Sequence, residues 1–224
     1  VTLVVHDWGG MIGMAWALRR PQRIARLVVM NTAAFLPPPA PAPASPVAPA
    51  SSRCRAQAGR LPLRLRLIRD GGLPAALAVR GLNLFSRGAA RMATHKGLSR
   101  EVRAGLTAPY DSWRNRIATL RFVQDIPLRP GDRSYDLVRS VEDNLHRLAD
   151  VPMLICWGEH DFVFDARFLD EWRRRFPRAE VHTFADAGHY VLEDAGEAIT
   201  PLVRRFLSAH PLPTESPHGK PDGC

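Results

Sequence analysis

Asp7 lies in the run Val4-Val5-His6-Asp7-Trp8-Gly9-Gly10, where an apolar segment meets a turn of small residues. A carboxylate is already ionised at neutral pH, so Asp7 can attack carbon without a base to activate it. Two other groups follow strand-like segments. They are Asp161, in Trp157-Gly158-Glu159-His160-Asp161, and His189, in Asp186-Ala187-Gly188-His189-Tyr190. Together they suit a two-step displacement. Asp7 displaces a leaving group from a saturated carbon and is left as an ester, and His189 activates water to cleave that ester. Asp161 holds the imidazole in one tautomer and stabilises its charged form. Trp8 adds a backbone N–H that can support an oxyanion. Its indole N–H is a donor with no acceptor role, suited to a halide or carboxylate leaving group. Taken singly, each residue has a plainer reading: Asp7 and Asp161 as helix N-caps, His189 as an ordinary turn residue. Their shared placement at segment ends, in the order nucleophile, acid, histidine, favours chemistry.

The elements that must position these groups alternate. Residues 2–6 read as a strand and 10–19 as a helix, with Met11, Met14, Ala15 and Leu18 on one face and Pro21 just beyond. Residues 26–30 form a second strand ending at Asn31-Thr32. Residues 37–52, rich in Pro, Ala and Ser, read as an extended loop. From Leu61 to Leu148 the chain reads as helices interrupted by Gly and Pro, an insertion between two strands. A strand at 151–157, a helix at 166–175 and a strand at 180–184 resume the alternation. A last helix at 195–207 carries Ile199, Leu202, Val203 and Phe206 on one face. Residues 211–224 read as a disordered tail or linker. Apolar strands alternating with helices imply an α/β fold with a parallel sheet. Ligands bind at the carboxyl ends of such strands, where all three candidates lie.

Composition excludes several classes. The chain has 224 residues and is 46% hydrophobic, enough for one core. It holds no apolar run long enough to span a bilayer and no signal peptide. Three scattered cysteines, Cys54, Cys156 and Cys224, argue for a reducing, cytoplasmic setting without a disulfide framework. Cys156, in an apolar run, is expected to be a buried small hydrophobe. His6 and His160 each precede an acidic residue, but their spacing makes no metal site, and both read as structural. No cofactor is expected. The net charge of +9 concentrates between Arg53 and Arg103, where only Asp70 and Glu101 oppose it. Leucines and arginines interleave from Arg60 to Arg69. That pattern fits either a basic amphipathic helix against a membrane or acidic partner, or a surface segment with one buried face. No basic cluster is interleaved with stacking aromatics, which argues against nucleic acid.

The run His6-Asp7-Trp8-Gly9-Gly10 resembles the nucleophile elbow of the haloalkane dehalogenase and epoxide hydrolase branch of the α/β-hydrolase superfamily. The resemblance extends from Val1 to about Leu207 and makes the helical insertion a cap domain. It implies a core at 1–35 carrying the elbow, a cap at 36–148, a core at 149–209 carrying acid and histidine, and a tail at 210–224. Asn31 stands where some dehalogenases place the acid, so here the acid is Asp161. Such an elbow usually follows several strands, so the N-terminal strands of the sheet are expected to be missing. Their loss would leave the nucleophile strand with an unpaired edge and remove the second oxyanion donor.

Two longer runs narrow the resemblance: Ala108-Pro109-Tyr110-Asp111-Ser112-Trp113-Arg114-Asn115-Arg116, continuing to Pro127, and Trp157-Gly158-Glu159-His160-Asp161-Phe162-Val163-Phe164-Asp165. They are similar to the β-lactone decarboxylases of bacterial long-chain olefin biosynthesis. That likeness implies a hydrophobic β-lactone substrate, a cis-olefin and carbon dioxide as products, and olefin-pathway enzymes as partners. The basic Leu/Arg pattern adds peripheral membrane contact through the cap as an expectation. The alternatives are a haloalkane dehalogenase, an epoxide hydrolase using cap tyrosines Tyr110 and Tyr135, and an inactive remnant or docking module.

Overall fold

The computed structural model describes residues 1–38 and 61–212. Most of the Pro/Ala-rich loop and nearly all of the tail therefore lie outside the described residues. Among the described residues, four segments form strands: β1 (Thr2–Asp7), β2 (Arg26–Thr32), β3 (Met153–Gly158) and the more polar β4 (Glu180–Phe184). All neighbours are parallel, in the order β1-β2-β3-β4. Helix α1 (Trp8–Arg19) connects β1 to β2, α8 (Ala166–Arg175) connects β3 to β4, and α9 (Val191–Ala209) follows β4. Between β2 and β3 stand α2 (Leu63–Asp70), α3 (Gly72–Ala76), α4 (Leu84–Met92), α5 (Arg100–Thr107), α6 (Ile117–Gln124) and α7 (Tyr135–Asn144).

The strand pleat sends alternate side chains to two cores. Leu27, Val29, Ile155 and Trp157 pack with Met14 and Leu18 of α1 and with Leu169 and Trp172 of α8. Val28, Met30, Leu154 and Cys156 pack with Ile199 and Phe206 of α9. Burial on both faces explains why β2 and β3 read as continuous apolar runs. Cys156 is fully buried, as expected. Among the described residues β1 stands at the sheet edge and pairs only with β2, with Val4 54% exposed.

Several boundaries differ from the sequence reading. α1 begins at Trp8, two residues before the expected start at Gly10, so Gly9 is helical rather than part of a turn. Gly10 and Gly13 serve close packing. A Cβ on Gly10 would lie 2.0 Å from Thr32 Oγ1, and one on Gly13 2.7 Å from Val5 Cγ1. α9 starts at Val191, four residues earlier than expected, and Ala195 breaks its helical geometry (φ −133°, ψ 17°). The expected start of that helix is therefore its kink. The Leu/Arg segment forms a helix with one partly buried face and one exposed face. α2 has no fully buried residue: Leu65 and Ile68 are half-buried, while Leu63 and Leu67 are 69% and 63% exposed.

Candidate active site

The site is assembled at the carboxyl ends of β1, β2 and β3 and in the loop after β4. Register breaks between His6 and Asp7: His6 pairs with Met30, but Asp7 pairs with Thr32. Asp7 and Asn31 both take positive φ there, 49° and 28°. A non-glycine residue held in that region stores about 1–3 kcal/mol of strain, and a strained strand-to-helix turn is what projects an elbow side chain outward. The strain is braced locally. Thr32 Oγ1 donates to the Asp7 carbonyl, and Trp172 Nε1 donates to the Thr32 carbonyl (2.8 Å). Asp7 stands at the N-cap position of α1, yet its side chain makes no capping hydrogen bond. The carboxylate remains available, with 35% of the side chain exposed.

Asp7, His189 and Asp161 are brought into one line. His189 Nε2 lies 3.5 Å from Asp7 Oδ1, and His189 Nδ1 donates to Asp161 Oδ2 at 2.9 Å. That bond places the proton on Nδ1 and leaves Nε2 of the neutral ring as an acceptor facing Asp7. Asp161 is fully buried and held by other donors. Its Oδ1 accepts the backbone N–H groups of Val163 (2.6 Å) and Phe164 (3.0 Å), and its Oδ2 accepts Asn31 Nδ2 (2.9 Å). Its helix-capping alternative fails, because Asp165 caps α8. Burial alone would lower the His189 pKa. The hydrogen bond and charge of Asp161, then the charge of Asp7, outweigh burial and raise it.

Two neighbours have tasks the sequence did not disclose. Asn31, fully buried, also donates to the Gly158 carbonyl (3.0 Å) and accepts the Gly158 N–H (2.8 Å), tying the end of β2 to that of β3. The signal was its place directly after an apolar strand. His6 contacts the His189 carbonyl through Nε2 (2.8 Å), and its ring centroid lies 4.9 Å from that of His189. Burial, and then the neighbouring His189, lower the His6 pKa. A neutral His6 donates from Nε2 to that carbonyl, in keeping with a structural role.

Asp7 and Trp8 open onto a cavity of about 210 Å³. Its walls are mainly apolar and include Phe122 of α6, Val138 of α7, Phe164 and Phe168. The Trp8 and Phe122 rings are 5.2 Å apart, so the inserted helical region meets the β1–α1 turn here. Tyr110 and Tyr135, the tyrosines that the epoxide hydrolase alternative would use, are not among the residues lining this cavity. Among the described residues, no cluster of three or more His, Cys, Asp or Glu side chains could hold a metal. Also among them, no helix is long and apolar enough to cross a membrane.

Residues 1–196 match the family model described as alpha/beta hydrolase fold. A cis-3-alkyl-4-alkyloxetan-2-one decarboxylase of Shewanella oneidensis is 48% identical over 93% of this chain and 60% of its own length. One of the same name from Xanthomonas campestris is 42% identical over 95% of this chain and 64% of its own. The chain thus spans less than two thirds of the length of these curated relatives. The crystal structure of the haloalkane dehalogenase DatA from Agrobacterium tumefaciens superposes with a TM-score of 0.73 at 20% identity, covering 94% of this chain and 67% of that one. At that identity the likeness concerns the fold.

Proposed function

Because the chain belongs to the α/β-hydrolase family, we propose that Asp7, His189 and Asp161 are the reactive line of a β-lactone decarboxylase, acting on a long-chain cis-β-lactone. The observation that carries this reading is an uncapped carboxylate, Asp7, set 3.5 Å from His189 at the wall of an apolar cavity. The two relatives named for decarboxylation of a dialkyl oxetan-2-one support the substrate class.

The chemistry needs no water. An Asp7 oxygen attacks the ring carbon that bears oxygen, from the side opposite that bond. The carbon–oxygen bond breaks, leaving an alkyl ester on Asp7 and a free carboxylate on the neighbouring carbon. The bond from that carbon to the carboxylate then breaks. Its electron pair forms the carbon–carbon double bond and expels Asp7 as a carboxylate, releasing carbon dioxide. Backside attack sets the Asp7 oxygen anti to the carboxylate, so loss of both without rotation converts a cis ring to a cis-olefin. The indole N–H of Trp8 suits the carboxylate freed in the first step. An imidazolium at His189 stabilises Asp7 as it re-forms, and Asp161 stabilises that imidazolium.

Haloalkane dehalogenase is the second reading, favoured by the same Asp7–His189 spacing and the Trp8 donor. It differs in needing water and a neutral His189 to hydrolyse the Asp7 ester. Incubating the protein separately with a cis-dialkyl β-lactone and a 1-haloalkane decides between them. Olefin and carbon dioxide from the lactone are expected. Halide release with the lactone untouched would overturn the decarboxylase reading. No turnover of either, together with a broad, uncooperative unfolding transition, would favour an inactive remnant.

The partner assignments extend this reading. Olefin-pathway enzymes are the expected suppliers of such a lactone. An anionic membrane surface suits the cap. Leu63, Leu67, Leu73 and Leu77 are all more than half exposed, Arg64 and Arg66 are exposed among them, and Leu61 lines the cavity. Flotation with anionic but not zwitterionic vesicles is expected, and its loss on substituting Leu63 and Leu67 by Ser. Equal flotation with both vesicle types would count against the charge-based contact.

A further inference from the structure

Asp194 is a buried acid in the first turn of α9, outside the reactive line. It accepts three backbone N–H groups, one from the adjoining histidine loop and two from a segment far along the chain. Oδ2 takes those of Gly188 (2.8 Å) and His95 (2.7 Å), and Oδ1 takes that of Lys96 (2.9 Å). Gly188 directly precedes His189, whereas His95 and Lys96 follow α4 in the inserted helical region. The break at Ala195 lies just beyond, and the Asp194 carbonyl accepts Lys96 Nζ (2.6 Å).

Other contacts close the same joint. Tyr190 N–H donates to the Ala93 carbonyl at 2.7 Å. A Cβ on Gly188 would lie 2.8 Å from that carbonyl oxygen, so the two segments meet backbone to backbone. The His95 ring stacks on His160, 4.1 Å apart and 7° from parallel, and His160 N–H donates to the Ala187 carbonyl (2.9 Å). His160 directly precedes Asp161. The inserted region, the acid loop and the histidine loop are thus fastened at one point, with the Asp194 carboxylate at its centre.

We propose that Asp194 is a positioning residue that fixes the histidine loop to the inserted region, and thereby holds His189 on Asp161 and Asp7. A carboxylate suits the task because it accepts from several donors and has no proton of its own to offer them. Three N–H donors from separate segments also define a position more tightly than one could. The inference rests on the catalytic reading of His189, but its test does not.

The experiment compares the protein with its Asp194→Asn variant, using histidine labelled with ¹⁵N in the ring. NMR follows the His189 Nδ1–H proton and the pH midpoint of that ring. In the variant, an amide NH₂ group faces backbone donors. The expected result is a broadened or lost Nδ1–H signal and a lowered midpoint, because burial acts against the charged ring once the bond to Asp161 loosens. Lactone turnover is expected to fall mainly in kcat, on the order of a hundredfold for a shift of about 1 Å. A purely structural role would reduce the folded fraction but leave the His189 signal of folded molecules unchanged, and that result would overturn the proposal. If Asp194→Asn does not fold, Lys96→Met removes only the bond to the Asp194 carbonyl. It is expected to shift the midpoint in the same direction by less, and an unchanged midpoint in that variant would likewise overturn the proposal. Asp186→Asn, exposed and outside the joint, is the control. Absence of lactone turnover in the parent protein would count against the proposed reaction, while the NMR comparison would still decide the role of Asp194.

Discussion

Asn31 and Asp161 are joined by a 2.9 Å hydrogen bond across two adjacent strand ends, within a cluster that holds the acid immobile. Asn31→Ala would leave the Gly158 N–H and one Asp161 lone pair without this partner inside the protein. Leaving such groups unsatisfied costs about 1–3 kcal/mol. The variant should unfold at lower urea and lose activity. Asn31→Asp should behave differently. It sets a second carboxylate against Asp161, so the pair shares a proton and the charge seen by His189 changes. Its signature is an altered pH profile, and a profile identical to that of the parent would mean Asn31 does not govern the acid.

The raised pKa of His189 separates the two reaction readings by sign. Breakdown of the Asp7 ester to olefin is assisted by the protonated ring, so this step should slow as pH rises through the His189 midpoint. Hydrolysis of a haloalkane-derived ester needs the neutral ring and should quicken over the same range. Asp161→Asn removes the main charge that opposes burial, so either midpoint should move down in pH. Pre-steady-state pH series with both substrates check this.

The same shift bears on stability. The folded pKa of His189 lies above the ordinary value of about 6.5. Its contribution is therefore full below that value and is lost as pH rises through the folded pKa. His6, with a lowered pKa, acts oppositely: its contribution is present above about 6.5 and is lost as pH falls through its folded pKa. His6→Gln, which keeps a donor for the His189 carbonyl, should reduce acid destabilisation in urea titrations near pH 5.

Much of the site was legible because parallel strands are apolar runs whose ends stand out. Asp7 and Asp161 each follow such a run, His189 follows the more polar strand β4, and the structure brings the three together. α8 and β4 also have the expected bounds. Asp194 was not legible. Its role depends on N–H groups of His95 and Lys96, about a hundred residues away, and backbone donors leave no trace in residue type. The start of α9 was missed because helical periodicity shifts phase at Ala195.

Close packing at the elbow makes Gly10 intolerant of a side chain. Gly10→Ala would drive a methyl group into Thr32 Oγ1 and to 2.8 Å from the Ala33 carbonyl, forcing α1 off the sheet. Overpacking of this kind costs about 1–3 kcal/mol. Activity should fall further than the folded fraction, because Asp7 and Trp8 begin the displaced helix. Urea unfolding alongside lactone turnover tests this.

Cys156 is fully buried in β3, and burial, then the charge of Glu180, push its thiol pKa up to about 12. It should resist iodoacetamide at pH 8 in the folded protein and react fully in denaturant. Mass spectrometry of the Cys156 peptide gives the answer, and rapid native labelling would contradict the described core.

The most direct test of the central assignment is rapid-quench peptide mass spectrometry after mixing the protein with a cis-dialkyl β-lactone. The expected result is a transient adduct on Asp7 carrying the mass of the whole lactone, which decays as olefin forms. Olefin formation with no Asp7 adduct at any time, and undiminished in an Asp7→Ala variant, would contradict Asp7 as the nucleophile.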